Sequence, residues 1–200
     1  SSAFDNVDEI KKSLPGNYAI GHVRYSTSGS KDGVQPMVGC SKFDDFAIAH
    51  NGNLINTSEL REKLIENGCI FKTDIDTEVV LHLTATGTKE SFLENFINAL
   101  KQIKGAYSFV AINNDTIMGV RDPAGVRPLV LGKLNNFYVL ASETCALDIV
   151  NASFVRDVKP GELIIIECNG KLSSIFPFSS QSLMCSQTSL HRFYKKKVFP

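Results

Sequence analysis

The sequence predicts an α+β domain in which helices cover antiparallel sheets. Short apolar strands come first, amphipathic helices fill roughly residues 56–103, and strands return from Ala106. No internal repeat or low-complexity linker interrupts this order. With 200 residues, 43% of them hydrophobic and 21% charged, one domain with a full core is expected.

Tyr18 to Tyr25 alternates loosely between apolar and polar and runs into Ser-Thr-Ser-Gly, which predicts a strand entering a loop. Phe46 to His50 predicts a second strand, ending at Asn51-Gly52. Asn56-Thr-Ser-Glu59 has the form of a capping box, in which Asn56 accepts from the first-turn amides and Glu59 reaches back, so a helix starts there. Leu60, Leu64 and Ile65 share its apolar face, and Gly68 supplies the left-handed stop. Two more helices are predicted over roughly Thr77–Ala85 and Glu90–Ile103, the second carrying Phe92, Leu93, Phe96, Ile97 and Leu100 at helical spacing. The runs AYSFVAI, TIMGV, PLVLG, FYVLAS and ELIIIE, split by turn residues, predict a meander of antiparallel strands. From about Ser179 the periodicity lapses into a serine-rich stretch with a lysine run, the composition of a disordered tail.

Twenty-one basic residues balance 21 acidic ones, so no net field draws the chain to nucleic acid or to a membrane surface. A specific site for a small polar ligand is expected instead. Cys40, Cys69, Cys145, Cys168 and Cys185 are scattered, with no spacing that suits zinc, and read as thiols in a reducing cytoplasm. No apolar stretch reaches the length of a secretory core or a membrane span.

Three features could carry chemistry. Asn51-Gly52 closes an apolar strand, where an unshielded glycine amide and a neighbouring carboxamide could hold a developing oxyanion. By itself, however, Asn-Gly reads first as a hairpin turn. Arg24, at the end of GHVRYST, could grip a carboxylate with both arms of its guanidinium or form a structural salt bridge. Asp76, in TDIDTE, could bind an ammonium, although an ordinary helix N-cap is the first reading there. Together the three suit an α-amino acid with a cleavable side-chain carbonyl, and glutamine satisfies all of them. His22, His50 and His82 sit among apolar residues with no nucleophile elbow nearby and read as structural. RDPAGVRPLVLG reads as a turn between strands, with Arg121 and Arg127 as ion-pairing candidates.

GHVRYSTSG at Gly21–Gly29, AHNGNLIN at Ala49–Asn56 and TDIDTE at Thr73–Glu78 resemble, in order and spacing, the class II glutamine amidotransferases. KGAYSFV, RDPAGVRPLVLG, ASETCALD and RDVKPGE extend the resemblance over about Asn17 to Glu167. RYST and HNGN, with the RDPxGxRPL stretch, point within that class to the amidophosphoribosyltransferases rather than the glucosamine-phosphate synthases. The resemblance implies a four-layer αββα sandwich of the Ntn-hydrolase type. It implies that Arg24 binds the glutamine carboxylate, that Asp76 binds its ammonium, and that Asn51 and Gly52 form the oxyanion hole. It also implies an N-terminal cysteine nucleophile with its own amine as base. Ammonia would pass to a second, transferase domain that uses Mg and forms 5-phosphoribosylamine in purine biosynthesis, in a homo-oligomer; no cofactor or metal is expected in this chain.

The same resemblance leaves expectations at both ends. Residues 1–178 read as an incomplete amidotransferase domain missing its first strands, and 179–200 as a divergent tail. Ser1 does not occupy the nucleophile's place, and none of the five cysteines matches it. The chain is therefore expected to be a poorly stable glutaminase fragment, inactive alone. The alternatives are a non-catalytic glutamine-binding module, or half of a split amidotransferase that pairs with a separately encoded N-terminal segment.

Overall fold

A computed structural model describes residues 16, 18–23, 34–114 and 116–178. Its strands are β1 (Met37–Ser41), β2 (Asp44–Leu54), β3 (Gly105–Asn113), β4 (Thr116–Arg121), β5 (Val130–Leu134), β6 (Phe137–Ala141), β7 (Ser153–Asp157), β8 (Leu163–Ile166) and β9 (Leu172–Ile175). Its helices are α1 (Thr57–Glu66), α2 (Asp76–Ala85), α3 (Phe92–Gln102) and α4 (Thr144–Ile149).

The strands form two antiparallel sheets, one ordered β1-β2-β3-β4-β8-β9 and one ordered β6-β5-β7. Period-two alternation gives each sheet two faces, and three apolar clusters show what each face meets. Phe46 and Ile48 of β2, Phe109 and Ala111 of β3 and Val120 of β4 pack against α1, α2 and α3. Between those residues, Val110, Ile117, Ile164 and Ile166 point the other way, onto Leu131, Tyr138 and Leu140 of the second sheet and Leu129 just before it. The far face of that sheet, through Val130, Val139 and Ala141, takes Leu147 of α4. The layers therefore run helix, sheet, sheet, helix, the expected αββα order.

The helices form for the expected reason. Phe92, Phe96, Ala99 and Leu100 make a buried stripe along α3, and each large side chain there contributes about 2 kcal/mol on burial. Ser91 caps it, accepting from the Glu94 amide at 3.2 Å. α1 ends as expected: Gly68 takes φ +87°, with Gly68 N–H donating to Ile65 and Cys69 N–H to Leu64 in a Schellman pattern.

Several expectations are corrected. Asn56 does not cap α1: its carboxamide donates to the Gln102 carbonyl and accepts from the Lys104 amide, tying α1 to the end of α3. Glu59 pairs with Lys63 instead of reaching back, and Ile65 is 54% exposed, leaving Leu60 and Leu64 as the buried face. Residues 18–23 form no strand among the described residues, where Tyr18 instead donates to the Cys168 carbonyl at 2.7 Å. The later strands are not one meander, because β3, β4 and β8 belong to the large sheet and β5 and β6 to the small one. Among the described residues Arg121 makes no ion pair; it donates to the carbonyls of Gly125, Arg127 and Val158, clamping the turn around Asp122.

One ion pair links the sheets. Arg156 on β7 makes two 2.8 Å bonds to Glu162, just before β8, and the Lys159 amide adds a third. Glu162 is 2% exposed. Burial pushes its carboxyl upward, but these donors outweigh it and hold the pKa below the ordinary value. Its contribution is thus complete above the unfolded glutamate value, about 4.3, and is lost as pH falls through the lowered native value. Arg156→Leu, which strands the buried carboxylate, is expected to cost about 3 kcal/mol in urea unfolding near pH 7. The difference from the unaltered protein should shrink as pH falls below about 4, because protonated Glu162 no longer needs the guanidinium; a difference independent of pH would refute this account.

Candidate active site

The site is built at the end of β2, where, among the described residues, the sheet has no neighbouring strand on one side. β2 pairs with β3 from Phe46↔Asn113 through Leu54↔Gly105, so Asn51-Gly52 lies inside the strand opposite Ser108 and Tyr107 and is not a hairpin turn. On its other side β1 stops at Met37↔Ile48. Beyond Ile48, side chains stand where β1 does not: the His50 amide donates to Gln35 Oε1 at 2.7 Å and the Leu54 amide to Asp76 Oδ2 at 3.2 Å.

That alternation aims the Gly52 amide the same way. Residues 50, 52 and 54 of an antiparallel strand present their N–H groups to one side. The Tyr107 carbonyl opposite Gly52 accepts from the Asp122 amide at 2.9 Å, so Tyr107 faces β4 and the Gly52–Tyr107 pair is of the non-bonded kind. The Gly52 N–H therefore points out of the open edge, between the amide bound by Gln35 and the amide bound by Asp76. Only glycine fits here: φ is +154°, and a Cβ would collide with the Ala106 carbonyl and stand 2.8 Å from both Tyr107 Cα and His50 Nε2.

Asp76 is the first residue of α2 rather than its N-cap, which is Ile75. Its carboxylate instead crosses to β2, meeting His50 Nδ1 at 3.2 Å as well as the Leu54 amide, so that it brackets Asn51-Gly52. Burial would raise this carboxyl, but the bonds from His50 and Leu54 prevail and hold its pKa below the ordinary range. The preceding loop is held just as closely. Glu78 accepts from the amides of Lys72 and Thr73 and from the Thr73 hydroxyl, while Arg61 donates to the carbonyls of Thr73 and Ile75 and lies over Phe71. TDIDTE thus carries its own scaffold, and Asp76 is the carboxylate of the motif with 23% of its side chain still open.

The structure brings Asp76, Asn51 and Gly52 together, while Arg24 lies outside the described residues. Asn51 is half-buried and alternates to the face opposite His50. Sequence reasoning left out the side chain of Gln35 and the Leu54 amide, and it read His50, between them, as structural. His50 is 4% exposed, its ring stacked on Phe109 at 4.3 Å. The signal that could have found it is its place in an even-numbered apolar run, Phe46, Ile48, His50, Leu54, which puts it on the helix face beside TDIDTE. His82 packs edge-on against Phe71, 3.8 Å from Glu78, in the structural role expected of it. A cavity of about 260 Å³ lies elsewhere, between the sheets near Val110, Ile117, Tyr138 and Leu140, and none of the candidate residues lines it. Among the described residues no cluster of three or more His, Cys, Asp or Glu could hold a metal ion, and no helix is long and apolar enough to cross a membrane.

The Gly52 amide and the Asp76 carboxylate thus stand near one another at the edge of one sheet of an αββα sandwich. A family model for the glutamine amidotransferase domain matches residues 22–148, more than half of the chain, and the chain belongs to that family. Its relatives are amidophosphoribosyltransferases, as the RYST and HNGN motifs led us to expect. It is 48% identical over 169 residues to the chloroplastic amidophosphoribosyltransferase 3 of Arabidopsis thaliana, covering 83% of this chain and 32% of the relative. It is 40% identical over 194 residues to the Bacillus subtilis amidophosphoribosyltransferase, covering 96% and 40%. A solved structure of the B. subtilis glutamine phosphoribosylpyrophosphate amidotransferase with ADP and GMP matches with a TM-score of 0.74 at 39% identity, over 80% of this chain and 34% of that one. The chain spans about a third of the length of these relatives.

Gly52→Ala forces a side chain against backbone rather than against a flexible neighbour. The loss should be about 3 kcal/mol or more in chemical unfolding. A variant as stable as the original would show that β2 and β3 are not held this closely.

Proposed function

We propose that this domain binds glutamine at the open end of β2 and is the glutaminase part of an amidophosphoribosyltransferase. The observation that carries the reading is the Gly52 amide aimed outward beside the Asp76 carboxylate, two residues from the amide that Asp76 holds. Two residues of strand span about 7 Å, comparable with the length of a glutamine side chain. Asp76 takes the α-ammonium, the Gly52 amide with the Asn51 carboxamide takes the side-chain carbonyl oxygen as it becomes an oxyanion, and Arg24 takes the α-carboxylate. In the whole enzyme the released ammonia would attack a phosphoribosyl diphosphate at a transferase domain to form 5-phosphoribosylamine.

Hydrolysis also needs a thiolate, and the described cysteines are placed elsewhere: Cys40 opposite Asp45, Cys69 beyond α1, Cys145 on α4 and Cys168 beyond β8. We propose that the chain as given holds glutamine without turning it over. All four of these thiols are free, which suits a reducing compartment such as the cytoplasm.

Calorimetric titration with L-glutamine tests the reading. Saturable binding is expected, weakened about tenfold or more by Asp76→Asn, which removes the charge facing the ammonium. Coupled ammonia detection should show no turnover until an N-terminal segment bearing a cysteine is supplied. Absence of binding would remove the proposal, and turnover by the unaltered chain would remove its second half.

A further inference from the structure

We propose that His50 is a positioning residue of this site, one that sets its preference for a ligand carrying an α-ammonium. The inference rests on the reading that Asp76 receives that ammonium. A carboxylate at a helix start has rotamers to choose from, and one of them points into the groove above Gly52 only if something holds it there. His50 does so through Nδ1, at 3.2 Å from Asp76 Oδ1, while the Leu54 amide fixes the other oxygen. With Asp76 ionised, Nδ1 is the donor in this bond.

The ring is itself immobilised. One face stacks on Phe109 at 4.3 Å and 13°, Thr77 Oγ1 stands 3.4 Å from Nδ1, and the backbone amide of His50 is tied to Gln35. Nε2 is fully buried and meets no partner among the described residues; it lies against the space that a Cβ on Gly52 would enter. A buried ring nitrogen left unpaired is costly, and a phenylalanine or leucine would fill this apolar place without that cost. Histidine at this position is accounted for by what its other nitrogen holds. The imidazole is a rigid spacer: one edge lies against the space beside Gly52 and the other meets the carboxylate, which limits how far the two subsites can drift apart.

The test separates this role from simple packing. The chain and its His50→Phe, His50→Asn and His50→Gln variants are each titrated with L-glutamine and with glutaramic acid, the same molecule without the α-amino group. The unaltered chain should prefer glutamine. His50→Phe keeps the stacked ring and removes the donor, and should lose about tenfold or more of that preference while binding glutaramate as before. His50→Asn, whose amide nitrogen reaches the place of Nδ1, should recover most of the preference; His50→Gln, whose amide reaches the place of Nε2, should not. Should His50→Phe fail to fold, the Asn and Gln pair decides by itself. Retention of the preference in His50→Phe or His50→Gln, or an equal loss toward both ligands, overturns the positioning role and leaves the glutamine reading standing. Failure of the unaltered chain to bind glutamine overturns both.

Discussion

The pairing of β2 with β3 through Gly52 is the constraint from which the other features follow. It sets nine consecutive residue pairs in register, from Phe46↔Asn113 to Leu54↔Gly105, and so decides which residues face the helices and which face the second sheet. A slip of one residue would turn Phe46, Ile48 and Phe109 away from the helical layer. The same register decides the chemistry. Because β1 ends opposite Ile48, the outward groups of residues 50 to 54 are not consumed by a ladder, and side chains from Gln35 and Asp76 take the first and last of the three amides. An open edge usually invites unwanted strand pairing; here it is blunted by two polar side chains and reduced to the single donor between them.

The parts of the fold that were legible in the sequence are those whose signal is local and long. α3 shows five apolar residues at helical spacing, and β2, β3 and β4 each carry an unbroken apolar run. β1, MVGCS, is short and contains a glycine, and β7, SFVRD, is exposed along nearly its whole length as an edge of the small sheet. α4 is six residues, too short to show a period. Asn51-Gly52 shows why part of the site was hidden. The positive φ that suits glycine to a hairpin turn also suits it to a strand whose neighbour leaves no room for a Cβ, and only the partner strand distinguishes the two. Asp76 and Asn56 looked like caps because each stands at the start of a helix; tertiary donors took both, Leu54 and His50 in one case and Lys104 in the other. Motif likeness singled out these candidate residues where local propensity pointed to turns and caps, since a motif reflects an assembled structure and propensity only the segment.

With 21 charges of each sign, the chain relies on individual carboxylates rather than on net charge, and three of them follow one rule with different ends. In Asp76, Glu78 and Glu162 burial raises the carboxyl and hydrogen-bond donors lower it further, so all three stay ionised inside the fold. A carboxylate offers about four acceptor positions. Glu78 spends three on the loop before α2, and Glu162 spends three on Arg156 and Lys159; both are nearly sealed, at 4% and 2% exposure. Asp76 spends two on β2, with the Thr77 amide also contributing, and keeps 23% of its side chain open. The first two are closed circuits that hold a loop and join the sheets. The third is held by the same physics but stays partly open, near the Gly52 amide, which has no partner strand on that side among the described residues. On the proposed glutamine reading, a ligand that brings an ammonium and a carbonyl oxygen at the right separation engages the carboxylate and that amide at once. A monofunctional ion would satisfy only one of them, so the spacing of two incomplete groups, more than the charge of either, is what can make the site selective.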